Sequence, residues 1–372
     1  MLELKAEPAA HAAQLEPLRF SDIAGWREDD HAAAFRVFRR SCKAIVGAEA
    51  PLRPASVAGP DLRAVCAPAL EVSDDLAPDQ ARRFFETHFE PLHVRPATGK
   101  GFLTGYFEPE FPGSLTRTAE FQTPLLARPD DLISVTQGET LPGLEPGLQA
   151  ARRTASGFEP YPDRAAIEDG ALGRLARPVV FVRDAVEAFV IHVQGSARLR
   201  LSDGRVVRIA YAGRNGLPYT SIGRILVERG SIALNDMSLE RLMAWIRANP
   251  QEGREIMRHN RSYIFFRIAE ELDPADGPIG GAGLPLTPGR SLAVDRALWS
   301  YGLPFWLEGE LPFANGASEP LRRLMISQDT GTAIVGPARG DFYFGSGPEA
   351  GTRAGLLRHP TRFVVLSPKP PK

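Results

Sequence analysis

The sequence predicts a mainly β protein with helices toward its N-terminus, an α+β chain of two domains. Three observations carry this. At 372 residues the chain exceeds one ordinary domain and suits two. The first hundred residues place apolar side chains at helical spacing, and short β-type runs parted by turn residues follow from Gly101 and again beyond Tyr263. The 35 Gly and 33 Pro follow no repeat period, so they mark turns rather than collagen or disorder. A hydrophobic share of 43% is enough to build a real core.

Asp29 or Asp30 is positioned to cap a helix running to about Ile45. Phe35, Phe38, Cys42 and Ile45 follow at intervals that keep them on one face. A second helix is expected over 78–89, with Phe84, Phe85 and Phe89 on one side. Residues 101–107 read as a strand with aromatics between glycines. Residues 128–177 are rich in Pro, Gly and Asp and predict loops and short elements. Strands are expected at 178–183 and 188–194. A hairpin joins 199–201 to 206–211 through Asp203-Gly204, a pair that favours a type I′ turn. Helices follow at 221–229 and 239–248, the latter with Leu239, Leu242, Met243 and Ile246 on one face and Asn249-Pro250 as its stop. Strands at 263–267, 291–295, 325–329, 332–335, 341–344 and 362–366 suggest a small barrel.

The net charge of -1 argues against nucleic acid, which calls for a basic field. A neutral sugar polymer fits better. No run reaches the roughly 18 apolar residues of a membrane-spanning helix. Residues 1–8 are mixed and charged and show no signal peptide. Cys42 reads better as a small core residue on its helix face, and an oxidised Cys42–Cys66 pair stays open. The seven histidines form no metal box: His88 and His93 lack a third ligand nearby, so neither metal nor cofactor is expected. No G-x-S-x-G is present. The stretch GSGPEAG (345–351) has the wrong spacing for a phosphate loop and contains Pro348, so a glycine loop or turn is expected there.

Three acids stand at the edges of apolar strands: Asp295, Asp329 and Asp341. Each alone reads better as a turn or backbone acceptor. Asp341 is the strongest candidate, because the Phe342-Tyr343-Phe344 run after it would desolvate a carboxylate and raise its pKa, as a general acid requires. Asp329-Thr330-Gly331 is also an aspartic-protease signature, but that chemistry needs two such acids and the chain has one. Sugar binding needs flat aromatic faces and amide or hydroxyl groups. Thr104-Gly105-Tyr106 and Gln194-Gly195-Ser196 supply these types, although ordinary strand and turn packing explains them about as well.

Five segments in order resemble the lytic transglycosylase A family: GFLTGYFEPEF (101–111), YPDRAAIEDGAL (161–172), IHVQGSARLRLSDGRVVRIAYAGRNG (191–216), GRSLAVDRALWSYGLPFWLEG (289–309) and QDTGTAIVGPARGDFYFGSGPEAGTRAG (328–355). The last resembles a three-aspartate module, with Asp295, Asp329 and Asp341 in its three positions. The resemblance implies a double-psi β-barrel domain (1–107 plus 258–372), an inserted all-β domain (108–257) and a groove between them. It implies Asp341 as catalytic acid, Asp329 as a supporting carboxylate, and Thr104, Gly105, Tyr106, Gln194, Gly195, Ser196 and Asp295 as substrate-binding residues. The implied substrate is the glycan strand of peptidoglycan, cut by a periplasmic monomer to leave an anhydro-sugar end. Membrane anchoring and partners among other cell-wall enzymes stay open, as do a hydrolytic glycosidase and a non-catalytic peptidoglycan-binding protein. The family often has Gly where this chain has Ala197, and its lipoprotein signal is not visible here.

Overall fold

The computed structural model describes residues 12–135, 141–142, 144, 148–270, 276–313, 316–331 and 333–370. It divides into two compact units, one from the described residues of 1–107, 274–345 and 352–372, the other from those of 108–273 and 346–351.

In the first unit, Asp30 caps the helix His31–Val46 by accepting the Ala33 amide at 2.9 Å. Its neighbour Asp29 does something else. Its two oxygens meet the Arg290 guanidinium at 2.7 and 2.9 Å, and one also accepts the Leu324 amide at 2.9 Å. The second expected helix spans Pro78–His88, with proline in its first turn. A further helix, Pro60–Glu71, lies in the stretch read only broadly as helical, and it carries Pro68 inside it. Phe35, Phe38, Phe85 and Phe89 are fully buried where these helices meet the sheet. Each such ring contributes roughly 1.5–3 kcal/mol of burial.

Cys42 is a buried core residue on the face the spacing predicts, and it is also oxidised: it forms a disulfide with Cys66 of the neighbouring helix, Cα to Cα 4.9 Å. The bond closes a loop with a sequence separation of 24. Replacing both cysteines by alanine is expected to lower stability by about 3 kcal/mol, read as a lower denaturant midpoint.

The sheet of this unit takes strands from both ends of the chain. Among the described residues its order is Ala13–Pro17, Phe89–Pro96, Arg362–Pro368, Pro304–Pro312, Ser318–Asp329, Ser291–Val294, Arg339–Ser346, Phe102–Glu108 and Arg358–Pro360. Ser291–Val294 runs parallel to Ser318–Asp329, whereas its pairing with Arg339–Ser346 and those of the outer strands are antiparallel. These pairings describe an open order rather than a closed ring. The first hundred residues are therefore not all helical, since two of the strands lie there. The strand Pro304–Pro312 was not expected. Residues 333–335 are not a strand, and Thr332 lies outside the described residues. The expected glycine loop at 345–351 turns into the helix Pro348–Leu356, whose proline sits in the one position where helices welcome it.

The second unit is not all-β. Among the described residues it carries the helices Arg164–Glu168, Ala185–Gln194, Ile222–Glu228, Leu239–Ala248 and Pro250–His259 beside three small sheets. The strand expected at 188–194 is part of the helix Ala185–Gln194. Asp184 caps it by accepting the Glu187 amide, and the helix is buried nearly all round, so its apolar run shows no helical stripe. Asn249-Pro250 ends one helix and also starts the next. The hairpin pairs Ala197–Arg200 with Val206–Arg214, but its turn is not type I′. Only Gly204 has positive φ, at 85°, and Leu201 bonds to Arg205, the pattern of a three-residue loop with glycine in the left-handed position. The loop-rich region 128–177 holds the three strands Leu132–Ser134, Ala150–Thr154 and Gly157–Pro160, with residues 136–140, 143 and 145–147 outside the described residues. Glu108, 0% exposed, pairs with the buried Arg208 at 2.9 Å and accepts the Ser346 hydroxyl at 2.7 Å. No helix among the described residues is long and apolar enough to cross a membrane.

Candidate active site

The acids sit on neighbouring strands of the first unit. Residue Ala293 pairs with Asp341 on one side and with Asp329 on the other. Directly paired residues share a face, so both carboxylates leave the same side of the sheet, their backbones about 10 Å apart with one methyl group between. A bulge sets this register: pairing steps from Leu292–Ser327 to Ala293–Asp329, leaving Gln328 as the extra residue. The Gln328 side chain turns inward, where its oxygen accepts from Ser291 at 2.6 Å and its nitrogen donates to Ser41 at 3.0 Å.

On the other side of Asp341 lies the strand Phe102–Glu108. Alternation puts Phe102, Thr104 and Tyr106 on one face of it, and Arg339, Asp341 and Tyr343 on one face of its neighbour. Three cross-strand contacts result. The Arg339 guanidinium lies 5.8 Å from the Phe102 ring centre. The Thr104 hydroxyl donates to Asp341 Oδ1 at 2.6 Å. The Tyr106 and Tyr343 rings meet at 5.2 Å.

Asp341 is desolvated, and burial pushes its pKa up to about 6 against the opposing pull of Arg339 and the Thr104 hydrogen bond, with Asp329 adding a smaller upward push. Asp329 Oδ1 accepts the Gly281 amide at 2.7 Å and its own neighbour's amide, Thr330, at 2.8 Å. The Tyr106 hydroxyl is buried and finds no hydrogen-bond partner among the described residues. Burial first, then the charges of Asp329 and Asp341, drive its pKa upward, so it stays a neutral donor. Tyr301, which donates to the Arg53 carbonyl at 3.1 Å, is raised likewise by burial and then by Asp329.

The remaining expected residues divide by place. Asp295 spends both oxygens on backbone: one accepts Ala297 at 2.9 Å, the other Gly336 at 2.7 Å, which ties down the loop leading to Asp341. Gly105 lies against the helix Pro348–Leu356; a Cβ there would stand 2.6 Å from the Phe344 ring and 2.8 Å from Ala354 Cα. Gly105→Ala is expected to lower stability by about 1–3 kcal/mol through overpacking, visible as a lower melting temperature. Gln194, Gly195 and Ser196 belong to the second unit. Gly195, at φ 83°, closes the helix Ala185–Gln194, Ser196 is buried, and Ala197 begins a strand with its methyl fully in the core.

The sequence reading missed Arg339, Tyr301 and Gly281. Arg339 was legible: two residues before Asp341 in a strand, it must share its face. Tyr301 and Gly281 reach Asp329 from loops, which no local pattern announces. His88 and His93 gather no third ligand, and no group of three metal-binding side chains forms among the described residues.

Two family models match this chain, the MltA specific insert domain over residues 102–267 and the 3D domain over residues 290–367. The crystal structure of a membrane-bound lytic murein transglycosylase from Agrobacterium tumefaciens is 36% identical, with TM-score 0.84 over 95% of this chain and 98% of that one. The chain belongs to the membrane-bound lytic murein transglycosylase A family. MltA from Neisseria gonorrhoeae, in its monoclinic form, is 31% identical with TM-score 0.79, over 100% of this chain and 96% of that one. Among curated relatives, the membrane-bound lytic murein transglycosylase A of Escherichia coli K12 is 32% identical over 72% of this chain and 66% of its own length. That of Vibrio cholerae is 36% identical over 53% and 54%. The matched region thus spans about half to two thirds of these curated relatives. A structure of E. coli MltA holds bound chitohexaose; it is 27% identical with TM-score 0.66, over 99% of this chain and 95% of that one.

Proposed function

We propose that this chain is a lytic transglycosylase that cuts the β-1,4 bond between N-acetylmuramic acid and N-acetylglucosamine in peptidoglycan. The observation that carries this reading is Asp341 itself, a carboxyl that shares one face of the sheet with Asp329, is bonded by the Thr104 hydroxyl, and has its pKa pushed up to about 6 by burial. Protonated Asp341 donates to the glycosidic oxygen as the C1–O bond breaks. The C6 hydroxyl of the same muramic acid attacks C1, gaining from proximity within one sugar, and closes a 1,6-anhydro ring. The Asp341 carboxylate takes the C6 proton and is an acid again. Asp329 supports the positive charge that develops at C1. The substrate's 2-acetamido group is a further internal nucleophile.

Thr104, Gly105 and Tyr106 are proposed glycan contacts of the first unit, with the Tyr106 hydroxyl as donor to a sugar oxygen. Gln194, Gly195 and Ser196 are the proposed contacts of the second. Asp295 acts through the loop it holds. The sheet of the first unit is proposed to be wound as a double-psi β-barrel, with domains of 1–107 plus 258–372 and 108–257. The Cys42–Cys66 bond fits an oxidising compartment and supports a periplasmic place, and the membrane-bound relatives support association with the outer membrane.

Digestion of purified peptidoglycan followed by mass spectrometry tests the reading. Anhydro ends, lighter by one water (about 18 Da) than reducing ends, are expected. Reducing ends would instead make the protein a hydrolase, with Asp329 as its second carboxylate, and no cleavage would leave a binding protein.

A further inference from the structure

The hydrogen-bond chain behind Asp341 has a direction. Arg339 Nη2 donates to Thr104 Oγ1 at 2.8 Å, and Thr104 Oγ1 donates to Asp341 Oδ1 at 2.6 Å. A guanidinium has donors only, so the Thr104 oxygen must be the acceptor in the first bond. Its single hydrogen is then left for Asp341. Oδ1 of Asp341 receives that hydrogen and is the poorer place for the acid's own proton. Oδ2 accepts no hydrogen bond among the described residues and is not sealed from solvent.

Arg339 is itself held. Its guanidinium lies against the Phe102 ring, and its other end is bonded to the Gly340 carbonyl. It is half-buried, so it stands beside the acid with little water to screen it.

We infer that Arg339 is a positioning residue that, through Thr104, confines the transferable proton of Asp341 to Oδ2, the oxygen open to substrate. The inference rests on Asp341 being the proton donor of the proposed reaction. It also makes Arg339 the counterweight to burial: its charge opposes the upward push that desolvation and Asp329 exert on Asp341. The charged and titratable groups on the face of Asp341 are Arg339 and Tyr343 on its own strand, Asp329 beyond Ala293, and Tyr106 on the Thr104 strand, with Arg358 one strand further out, paired with Thr104. Arg339 reaches Asp341 through a hydrogen-bonded relay.

The test uses Arg339→Met, Arg339→Lys, Thr104→Val and the double variant Arg339→Met/Thr104→Val in the full chain. Two readouts are taken: the pH profile of peptidoglycan cleavage, and the titration of the Asp341 carboxyl carbon by NMR, which needs no activity. Arg339→Met is expected to raise the Asp341 midpoint by about one pH unit or more. The alkaline limb of cleavage should move up with it, while kcat at low pH falls about tenfold and KM holds. Arg339→Lys keeps the charge and should return the midpoint toward wild type. The double variant should lose little more kcat than Thr104→Val alone, because both break one relay. An unmoved carboxyl midpoint in Arg339→Met, or kcat losses that multiply fully in the double variant, overturns the inference. If Arg339→Met does not fold, Arg339→Gln takes its place in both readouts, alone and combined with Thr104→Val, with the same expected and overturning results. If wild type makes no anhydro ends, the proposed function fails on its own, and the NMR midpoint still decides whether Arg339 governs Asp341.

Discussion

Asp341→Asn is expected to abolish cleavage while making the folded protein more stable above pH 6. The loss should exceed a thousandfold, since the variant has no proton to give the leaving oxygen and no base to take one from C6. Binding of glycan strands should survive, because Asn keeps the size of the side chain and an oxygen for the Thr104 hydroxyl. The stability gain follows from the raised pKa. Asp341 holds its proton to about pH 6 in the fold, from an ordinary value of 3.8. As pH rises through this window the unfolded chain releases its proton first, so the fold is progressively disfavoured and the penalty is complete above pH 6. At full size that penalty is up to about 3 kcal/mol. Denaturant curves of the two proteins should therefore differ at pH 7.5 and converge near pH 4. Near-normal turnover by the variant would sink the assignment of Asp341, and equal stability at pH 7.5 would mean that the carboxyl is not desolvated.

The second large effect is expected far from the chemistry. Asp29→Ala should cost about 3–5 kcal/mol, because it strands the Arg290 guanidinium and the Leu324 amide in a buried place. The side chains of Asp29 and Arg290 are only 5% and 10% exposed, so water cannot substitute. Since Arg290 immediately precedes the strand that carries Ala293, the spacing of Asp329 and Asp341 should suffer as well. Urea unfolding with a midpoint close to wild type would refute this. Asp30→Ala is the control: it removes only an exposed cap and should cost about 1 kcal/mol.

Much of this was legible in the sequence, for reasons that differ by element. The helix His31–Val46 announced itself by an acid before a helical apolar stripe, though which acid capped it depended on Arg290, over two hundred and fifty positions away in the chain. Asp341 was legible as an acid among aromatics. Its link to Thr104 was not, because strand neighbours are a non-local fact. The helix Ala185–Gln194 misread as a strand because burial on all sides erases the polar face that reveals helical period. Pro250 was read only as a stop, and it also begins the next helix, because a proline ends one helix and suits the first turn of another equally well. The disulfide was left open because two cysteines do not specify their own pairing, and only the docking of two helices brings them together.

The place of the strand Arg362–Pro368 has a consequence for how the protein is made. It lies between Phe89–Pro96 and Pro304–Pro312, and both wait for it. While the ribosome is still delivering the segments before it, two strand edges stay unpaired and exposed to other chains. The N-terminal helices pack on one another over short sequence separations and can settle meanwhile. Full assembly of the sheet, and with it the face bearing Asp341, is then a late and slow event. A chain shortened before Arg362 should be captured by chaperones or aggregate, even though it still carries every proposed catalytic residue.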